Sequence, residues 1–290
     1  MSKVLSQPFT SPTLGQWLQE STRQLTSAGI ITAWLDTLVL TEYIVKHDRA
    51  WICAHPEVKL STQETGCLKK LLKRRAKHEP IAYIRGRQEF YGREFVITPA
   101  VMQPRPESES FIESLQNVLE NDLKHMYSQR SLRIADIGCG SGVLGIIAAL
   151  TFPLCQVTLL DIDPEALKVA KTNVDIFTLN ISTIKSNLLR NAPKKYDILL
   201  CNLPYLPDDY KINKAAAYEP KQALFGGTNG LQIYRSLFKQ VSNLPKKPLF
   251  ILTESLKFQH AEMSDIAQQV RYQLHETNGL VQAFRHKDND

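Results

Sequence analysis

Two short stretches of this 290-residue chain carry side chains whose types and spacing can do chemistry. The first is DIGCGSG, Asp136 to Gly142, set between two apolar runs. Glycines at 138, 140 and 142 permit a tight turn that brings backbone close to a ligand, and a helix opening there points its N–H groups at electronegative atoms. Asp136 stands before the first glycine and would repel a diphosphate. A ligand without phosphate but with an ammonium or sulfonium group suits that carboxylate better. Asp161 follows nineteen residues beyond Gly142, at the end of the next strand, where an acid can accept both hydroxyls of a ribose. Asp163, just before Pro164, reads instead as a helix N-cap. A nucleoside with a cationic, phosphate-free tail is S-adenosylmethionine.

The second stretch is DILLCNLPYLP, Asp197 to Pro207. A strand-like run stops at Asn202, because Pro204 and Pro207 have no N–H for a ladder and fix φ. The Asn202 side-chain oxygen and the Leu203 carbonyl can each accept from an NH2 group, which leaves the nitrogen lone pair facing a methyl donor. Pro204 holds that backbone rigid, and Tyr205 is expected to stack over the planar group. The exocyclic amine of adenine and a carboxamide present the same NH2, so the loop alone fits either. Histidines 47, 55 and 78 form no constellation with other catalytic types and read as surface or packing residues.

Helices and strands must bring these stretches together. From Leu14 to Lys77 the apolar spacing is helical, with Leu14, Trp17, Leu18 and Leu25 on one side, and predicts a small bundle of four or five helices. KKLLKRRAK, Lys69 to Lys77, reads as a solvated helix face docked by Leu71 and Leu72. Phe90, Tyr91, Phe95, Val96 and Ile97 around Gly92 predict a β-hairpin. Prolines 99, 104 and 106 then interrupt regular structure, and Ser108 or Glu107 is expected to cap a helix running to about His125. After residue 130, strands alternate with helices and close on an antiparallel pair, RYQLHE and LVQAFRH, which predicts a largely parallel sheet with crossover helices.

Composition is that of a globular protein, with 43% apolar and 8% aromatic residues. The length suits two domains. The first fifteen residues lack the pattern of a signal or transit peptide, no window is apolar enough to span a bilayer, and the chain reads as cytoplasmic. Five scattered cysteines suggest neither a disulfide framework nor a zinc site, so no metal is expected. The net charge of +6 is compatible with nucleic acid without requiring it.

Five ordered blocks resemble the HemK/PrmC family of class I methyltransferases. EPIAYIRGRQEFYGREF from Glu79 is similar to its E-P-x-x-Y-I-x-G-x-x-E-F-Y-G segment, and PRPESE from Pro104 to its P-R-P-E-T-E. DIGCGSG and NLPY match the cofactor and catalytic loops, and YEPKQALFGGTNGLQIYRSL from Tyr218 resembles E-P-x-x-A-L-x-G-G-x-D-G-L. Leu203 replaces the first proline of the family's usual N-P-P-Y, while Asn187 and Asn229 stand where aspartates are common.

The resemblance implies a Rossmann-like S-adenosylmethionine-dependent methyltransferase domain (107–290) behind an N-terminal helical substrate-recognition domain (1–85), joined by a β-hairpin linker (86–106). It implies transfer of a methyl group to N5 of the glutamine in the Gly-Gly-Gln motif of peptide-chain release factors. Asn202, Leu203, Pro204 and Tyr205 are then catalytic. Asp136, Gly138, Cys139, Gly140, Ser141, Gly142, Asp161, Ile162, Asn187, Leu188 and Asn202 would bind the cofactor, with Arg105, Glu107 and Glu219 positioning the substrate. Two alternatives stay open: adenine N6 methylation of RNA or DNA, and a catalytically idle adaptor. No membrane partner is expected, and the oligomeric state is not legible.

Overall fold

The computed structural model describes residues 11–193 and 195–287, so the reading of the N-terminal stretch as no signal peptide rests on residues that lie mostly outside it. The chain divides into two units, the first formed by residues 11–85 with Lys214–Tyr218, the second by residues 86–213 and 219–287. No helix among the described residues is long and apolar enough to cross a membrane.

The first unit holds α1 (Leu14–Ser27), α2 (Ala33–Val45), α3 (Arg49–Ala54), α4 (Thr62–Ala76) and α5 (Ile81–Arg85). Both α1 and α4 start where a hydroxyl and a residue three positions on satisfy each other's backbone N–H, Thr13 with Gln16 and Ser61 with Glu64. Leu14, Trp17, Leu18 and Leu25 then pack with Ile52, Leu68 and Leu72 in one apolar cluster. In the basic run of α4, Leu72 is buried and Leu71 half-buried. Arg75 Nε donates to Asp36 Oδ2 at 2.7 Å, and Arg74 pairs with Glu79. Those two cations therefore anchor the helix within its own unit.

The second unit opens with the expected hairpin, β1 (Arg87–Phe90) and β2 (Arg93–Val96). Tyr91 and Gly92 at its turn both have positive φ, 50° and 68°, the backbone that a right-twisted two-residue hairpin needs. α6 (Ser110–Asn117) and α7 (Lys124–Gln129) follow. The expectation of one continuous helix capped by Ser108 or Glu107 is corrected here. A π-helical segment, Val118–Asp122, breaks it, and neither side chain makes a cap bond.

Next come β3 (Arg133–Ile137), α8 (Val143–Thr151), β4 (Gln156–Asp161), α9 (Pro164–Ile176), β5 (Ser182–Lys185) and β6 (Ile198–Cys201). The remainder is α10 (Lys221–Leu224), α11 (Gln232–Ser242), β7 (Phe250–Glu254), α12 (His260–Gln268), β8 (Tyr272–Asn278) and β9 (Val281–His286). The strands assemble in the order β5-β4-β3-β6-β7-β9-β8, parallel throughout except for β9. From β3 the chain winds outward through β4 and β5, then returns to β6 on its other side. That reversal opens a crevice at the carboxyl ends of β3 and β6, where α/β sheets bind ligands.

The hairpin is fastened to this unit by Asn173 of α9. Its Oδ1 accepts from Val96 N at 2.8 Å, and its Nδ2 donates to Val96 O at 3.0 Å and to Ser141 O at 2.9 Å. Phe95 rests against Phe177 with ring centroids 4.9 Å apart.

At the opposite end of the sheet Asp197, its side chain fully buried, leads into β6. It accepts from Arg130 at 2.8 and 2.9 Å, from Arg133 N at 2.9 Å and from Lys246 at 3.3 Å. Burial opposes its charge, but these donors outweigh burial and hold the carboxyl at about 2. A depressed carboxyl stabilises the fold fully above its ordinary value and loses that contribution as pH falls toward 2. Asp197→Asn should therefore cost about 2 kcal/mol at neutral pH. Urea unfolding of both proteins should show that gap shrinking between pH 4 and pH 2.

Candidate active site

The crevice between β3 and β6 is a cavity of about 270 Å³ whose lining includes Asp136, the glycine turn, Asp161, Asn187, Asn202 and Leu203. The two stretches singled out in the sequence thus meet in one place. β3 delivers Asp136, 1% exposed, to the floor. Gly138 N and Cys139 N both donate to Leu160 O of the neighbouring strand, at 2.8 and 2.9 Å, so the turn is pinned to the sheet as it leaves it. Gly138, Gly140 and Gly142 all have positive φ, 70°, 54° and 81°, and a Cβ on Gly138 would stand 2.8 Å from Leu203 Cδ2. Here glycine is required twice, for the backbone angle and for the approach of the Asn202 loop.

Asp136 Oδ2 accepts from Gly145 N at 2.9 Å, one of the unpaired N–H groups in the first turn of α8. One carboxylate oxygen therefore braces the helix and the other is left for a ligand. Burial lifts this carboxyl to about 7, the Gly145 bond partly opposing, and the Asp161 charge adds to the rise. Asp161 has a second task that the sequence does not announce. Its Oδ2 accepts from Gly140 N and its Oδ1 from Asp163 N, both at 2.9 Å, so it braces the glycine turn and keeps only its remaining lone pairs for hydroxyls. Asp163 caps α9 through Glu165 N as expected, and also accepts from Gln222. Ile162, 55% exposed, and Leu188, with φ of 55°, complete one wall beside the exposed Asn187.

Past the end of β6, Asn202 Nδ2 donates to Ser108 Oγ at 2.9 Å, while its Oδ1 is buried without a partner among the described residues. Leu203 N donates to the Tyr234 hydroxyl at 3.2 Å, and that hydroxyl reaches Cys201 O at 2.8 Å and Glu254 O at 2.7 Å. A single buried phenol thereby ties the ends of β6 and β7 together. The Gly226 to Gly230 segment presses on the same loop. A Cβ on Gly226 would fall 2.3 Å from Pro204 O, and one on Gly230 2.0 Å from Tyr205 O.

Tyr205 is half-buried, and its hydroxyl donates to Glu254 Oε1 at 2.8 Å. Several expected residues lie elsewhere. Arg105, Glu107 and Glu219 are outside the lining, although their neighbours Pro104, Ser108 and Pro220 are in it. Glu219 is buried and accepts from Gln103 at 2.8 Å and Arg105 at 2.6 Å through Oε1. Asn229 bonds Leu231 N and Glu262, so its departure from aspartate concerns the turn into α11 rather than the cavity. Ser108, Tyr234 and Glu254 were not foreseen. The acid at the end of the buried strand PLFILTE was the one available signal.

The arrangement suits S-adenosylmethionine. The crevice offers a buried carboxylate to a cationic tail and a second carboxylate to ribose hydroxyls, with the glycine turn between them. Comparison with known proteins agrees. A PrmC N-terminal domain matches residues 16–86 and a methyltransferase small domain matches residues 116–223. The release factor glutamine methyltransferase of Koribacter versatilis is 32% identical over 234 residues, 79% of this chain and 81% of that protein. The chain belongs to the release factor glutamine methyltransferase family.

It is also 31% identical over 265 residues to a bifunctional methyltransferase of Rickettsia bellii, covering 82% of this chain but only 48% of that longer protein. Among solved structures the hMettl16 catalytic domain in complex with MAT2A 3′UTR hairpin 1 has the same fold, with a TM-score of 0.54 and 14% identity over 80% of this chain and 83% of that one. Membership of this family makes the chain an S-adenosylmethionine-dependent methyltransferase.

The position of Asp136 has a measurable consequence. A cationic ligand favours its anion, so binding near neutrality should expel a proton. Affinity for S-adenosylmethionine should rise roughly tenfold from pH 6 to pH 8. Titration calorimetry in buffers of different ionisation heat should detect the released proton, and Asp136→Asn should bind more weakly and lose the dependence.

Proposed function

We propose that the chain methylates N5 of a glutamine side chain in a peptide-chain release factor, the glutamine of its Gly-Gly-Gln motif. The observation that carries this reading is Asn202. Its Nδ2 is committed to Ser108, and its Oδ1 is a buried acceptor in need of a donor, in the same cavity as Asp136. The amide NH2 of glutamine supplies that donor. The names of the relatives supply the protein to which the glutamine belongs.

An amide nitrogen is a poor nucleophile because its lone pair is delocalised into the carbonyl. When bound, S-adenosylmethionine supplies an electrophilic methyl group on sulfonium sulfur. Asn202 Oδ1 and the Leu203 carbonyl take the two N–H bonds of the substrate amide, hold its plane, and stabilise the positive charge that grows on nitrogen as the N–C bond forms and the S–C bond breaks. Fixed acceptors of this kind are each worth about 3 kcal/mol in a dry site. The surplus proton becomes acidic once the methyl group has arrived and leaves to solvent, so no strong base is needed. Leu203 in place of proline keeps the carbonyl. The lost rigidity is replaced by Tyr234 and by Gly226 and Gly230 pressed against the loop. Arg105, Glu107 and Glu219 support the substrate side of the cavity, and the helical unit receives the body of the release factor in the cytoplasm.

Methyl transfer with a release factor and deproteinised RNA offered side by side tests the reading. Label should appear on the factor and vanish when its Gly-Gly-Gln glutamine is replaced by alanine. Label on RNA alone would overturn it in favour of adenine methylation. Asn202→Ala should lower kcat by about a hundredfold to a thousandfold while S-adenosylmethionine affinity stays close to that of the parent.

A further inference from the structure

We propose that Ser108 and Glu254 are positioning residues that fix which end of the Asn202 amide faces the substrate, an inference that rests on the role given to Asn202 above. An asparagine amide is nearly symmetric in shape, and half a turn about its last bond exchanges acceptor for donor. Methylation of an amide NH2 needs the acceptor. Something must therefore hold the Asn202 nitrogen away from the substrate, and the loop sequence contains nothing that does.

Ser108 and Glu254 supply it from elements 146 residues apart. Glu254 ends β7 with its carboxylate buried, 1% exposed. Oε2 accepts from the Ser108 hydroxyl at 2.7 Å and Oε1 from the Tyr205 hydroxyl at 2.8 Å. A serine hydroxyl has one hydrogen, and here it is spent on Glu254. Toward Asn202, Ser108 Oγ can therefore only accept, and it does so from Nδ2 at 2.9 Å. The chain of bonds runs one way, from amide N–H to hydroxyl to carboxylate, and Oδ1 is turned to the other side, where no described group bonds it. Each link is placed by backbone. Ser108 N donates to Arg105 O in the 3₁₀ turn Pro106–Glu109, and the Glu254 carbonyl is tied to Tyr234.

The direction depends on Glu254 being an anion. A neutral carboxyl can donate to Ser108, whose hydrogen then turns to the Asn202 oxygen and sends the NH2 toward the substrate. The groups facing Glu254 act in opposite senses. Burial raises its carboxyl above the ordinary range and the Glu107 charge adds to that, while bonds from Ser108, Tyr205 and Asn202 pull it down; burial wins. Arg105 acts on the neighbouring Tyr205. Turnover at saturating cofactor should thus fall as pH drops through the Glu254 value, separately from the effect of Asp136 on cofactor binding.

Steady-state kinetics on a release factor test this, with cofactor affinity and melting temperature measured on each variant. Ser108→Ala and Glu254→Gln should lower kcat about tenfold to a hundredfold, with cofactor affinity unchanged. Ser108→Thr, which restores the hydroxyl, should recover most of the loss, and Glu254→Gln should lack the acid limb of the kcat profile. If Ser108→Ala and Glu254→Gln turn over like the parent while Asn202→Ala is inactive, the relay is refuted and the loop assignment stands. If Asn202→Ala itself retains turnover, the assignment beneath the relay is what fails. A loss in Ser108→Ala that Ser108→Thr does not repair, accompanied by a lower melting temperature and weaker cofactor binding, would also overturn the relay and leave Ser108 a packing residue.

Discussion

Desolvated acid at the ends of neighbouring parallel strands is the constraint around which the second unit is arranged. Asp161 closes β4, Asp136 lies within β3 one residue before its end, Glu254 closes β7, and between them the residue beyond β6 is Asn202. Burial raises the carboxyls of Asp136, Asp161 and Glu254 alike. The donors bonded to them are backbone N–H groups, hydroxyls and the Asn202 amide rather than ammonium or guanidinium groups. Such donors lower the energy of an anion without cancelling its charge. A cationic ligand in the crevice therefore meets acids whose ionisation it favours, and the same need for donors dictates much of the local structure. Gly145 must be small so that its N–H can meet Asp136, since a Cβ there would lie 3.1 Å from that carboxylate and 2.3 Å from Leu159.

What the sequence could disclose follows from range. The glycine turn, Asp161 after the next strand and Asn202 after the fourth strand of the series are legible because each is set by a strand end and a turn within a few residues of it. The helical bundle and the alternating strands and helices were legible for the same reason, since periodicity is a local signal. Ser108 was misread as a helix cap because its true partners, Asn202 and Glu254, stand at strand ends far along the chain. Tyr234 looks like any aromatic on the apolar face of an amphipathic helix, and only the sheet order brings its hydroxyl to three backbone groups of β6, its following loop and β7.

The block around Gly226 to Gly230 shows why a resemblance in sequence can be strong where no reacting atom is touched. Gly226 and Gly230 are excluded from change by the carbonyls of Pro204 and Tyr205, and Gln259 secures the segment by donating to Tyr205 O and Asn229 O at 2.8 Å each. Leu206 and Phe225 extend this as a short parallel bridge. The loop that presents Asn202 is thus clamped from two sides by backbone.

Asn173 makes one side chain answerable to two segments at once. It reads both the N–H and the C=O of Val96 and, with its remaining amide hydrogen, the carbonyl of Ser141. A slip of the hairpin by a single residue would present Phe95 or Ile97 with the wrong facing groups and orphan a fully buried amide, so the seat of the hairpin is keyed rather than merely greasy. The third tooth of that key is cut in the glycine turn, so a single amide joins the seat of the hairpin to a residue that lines the cavity.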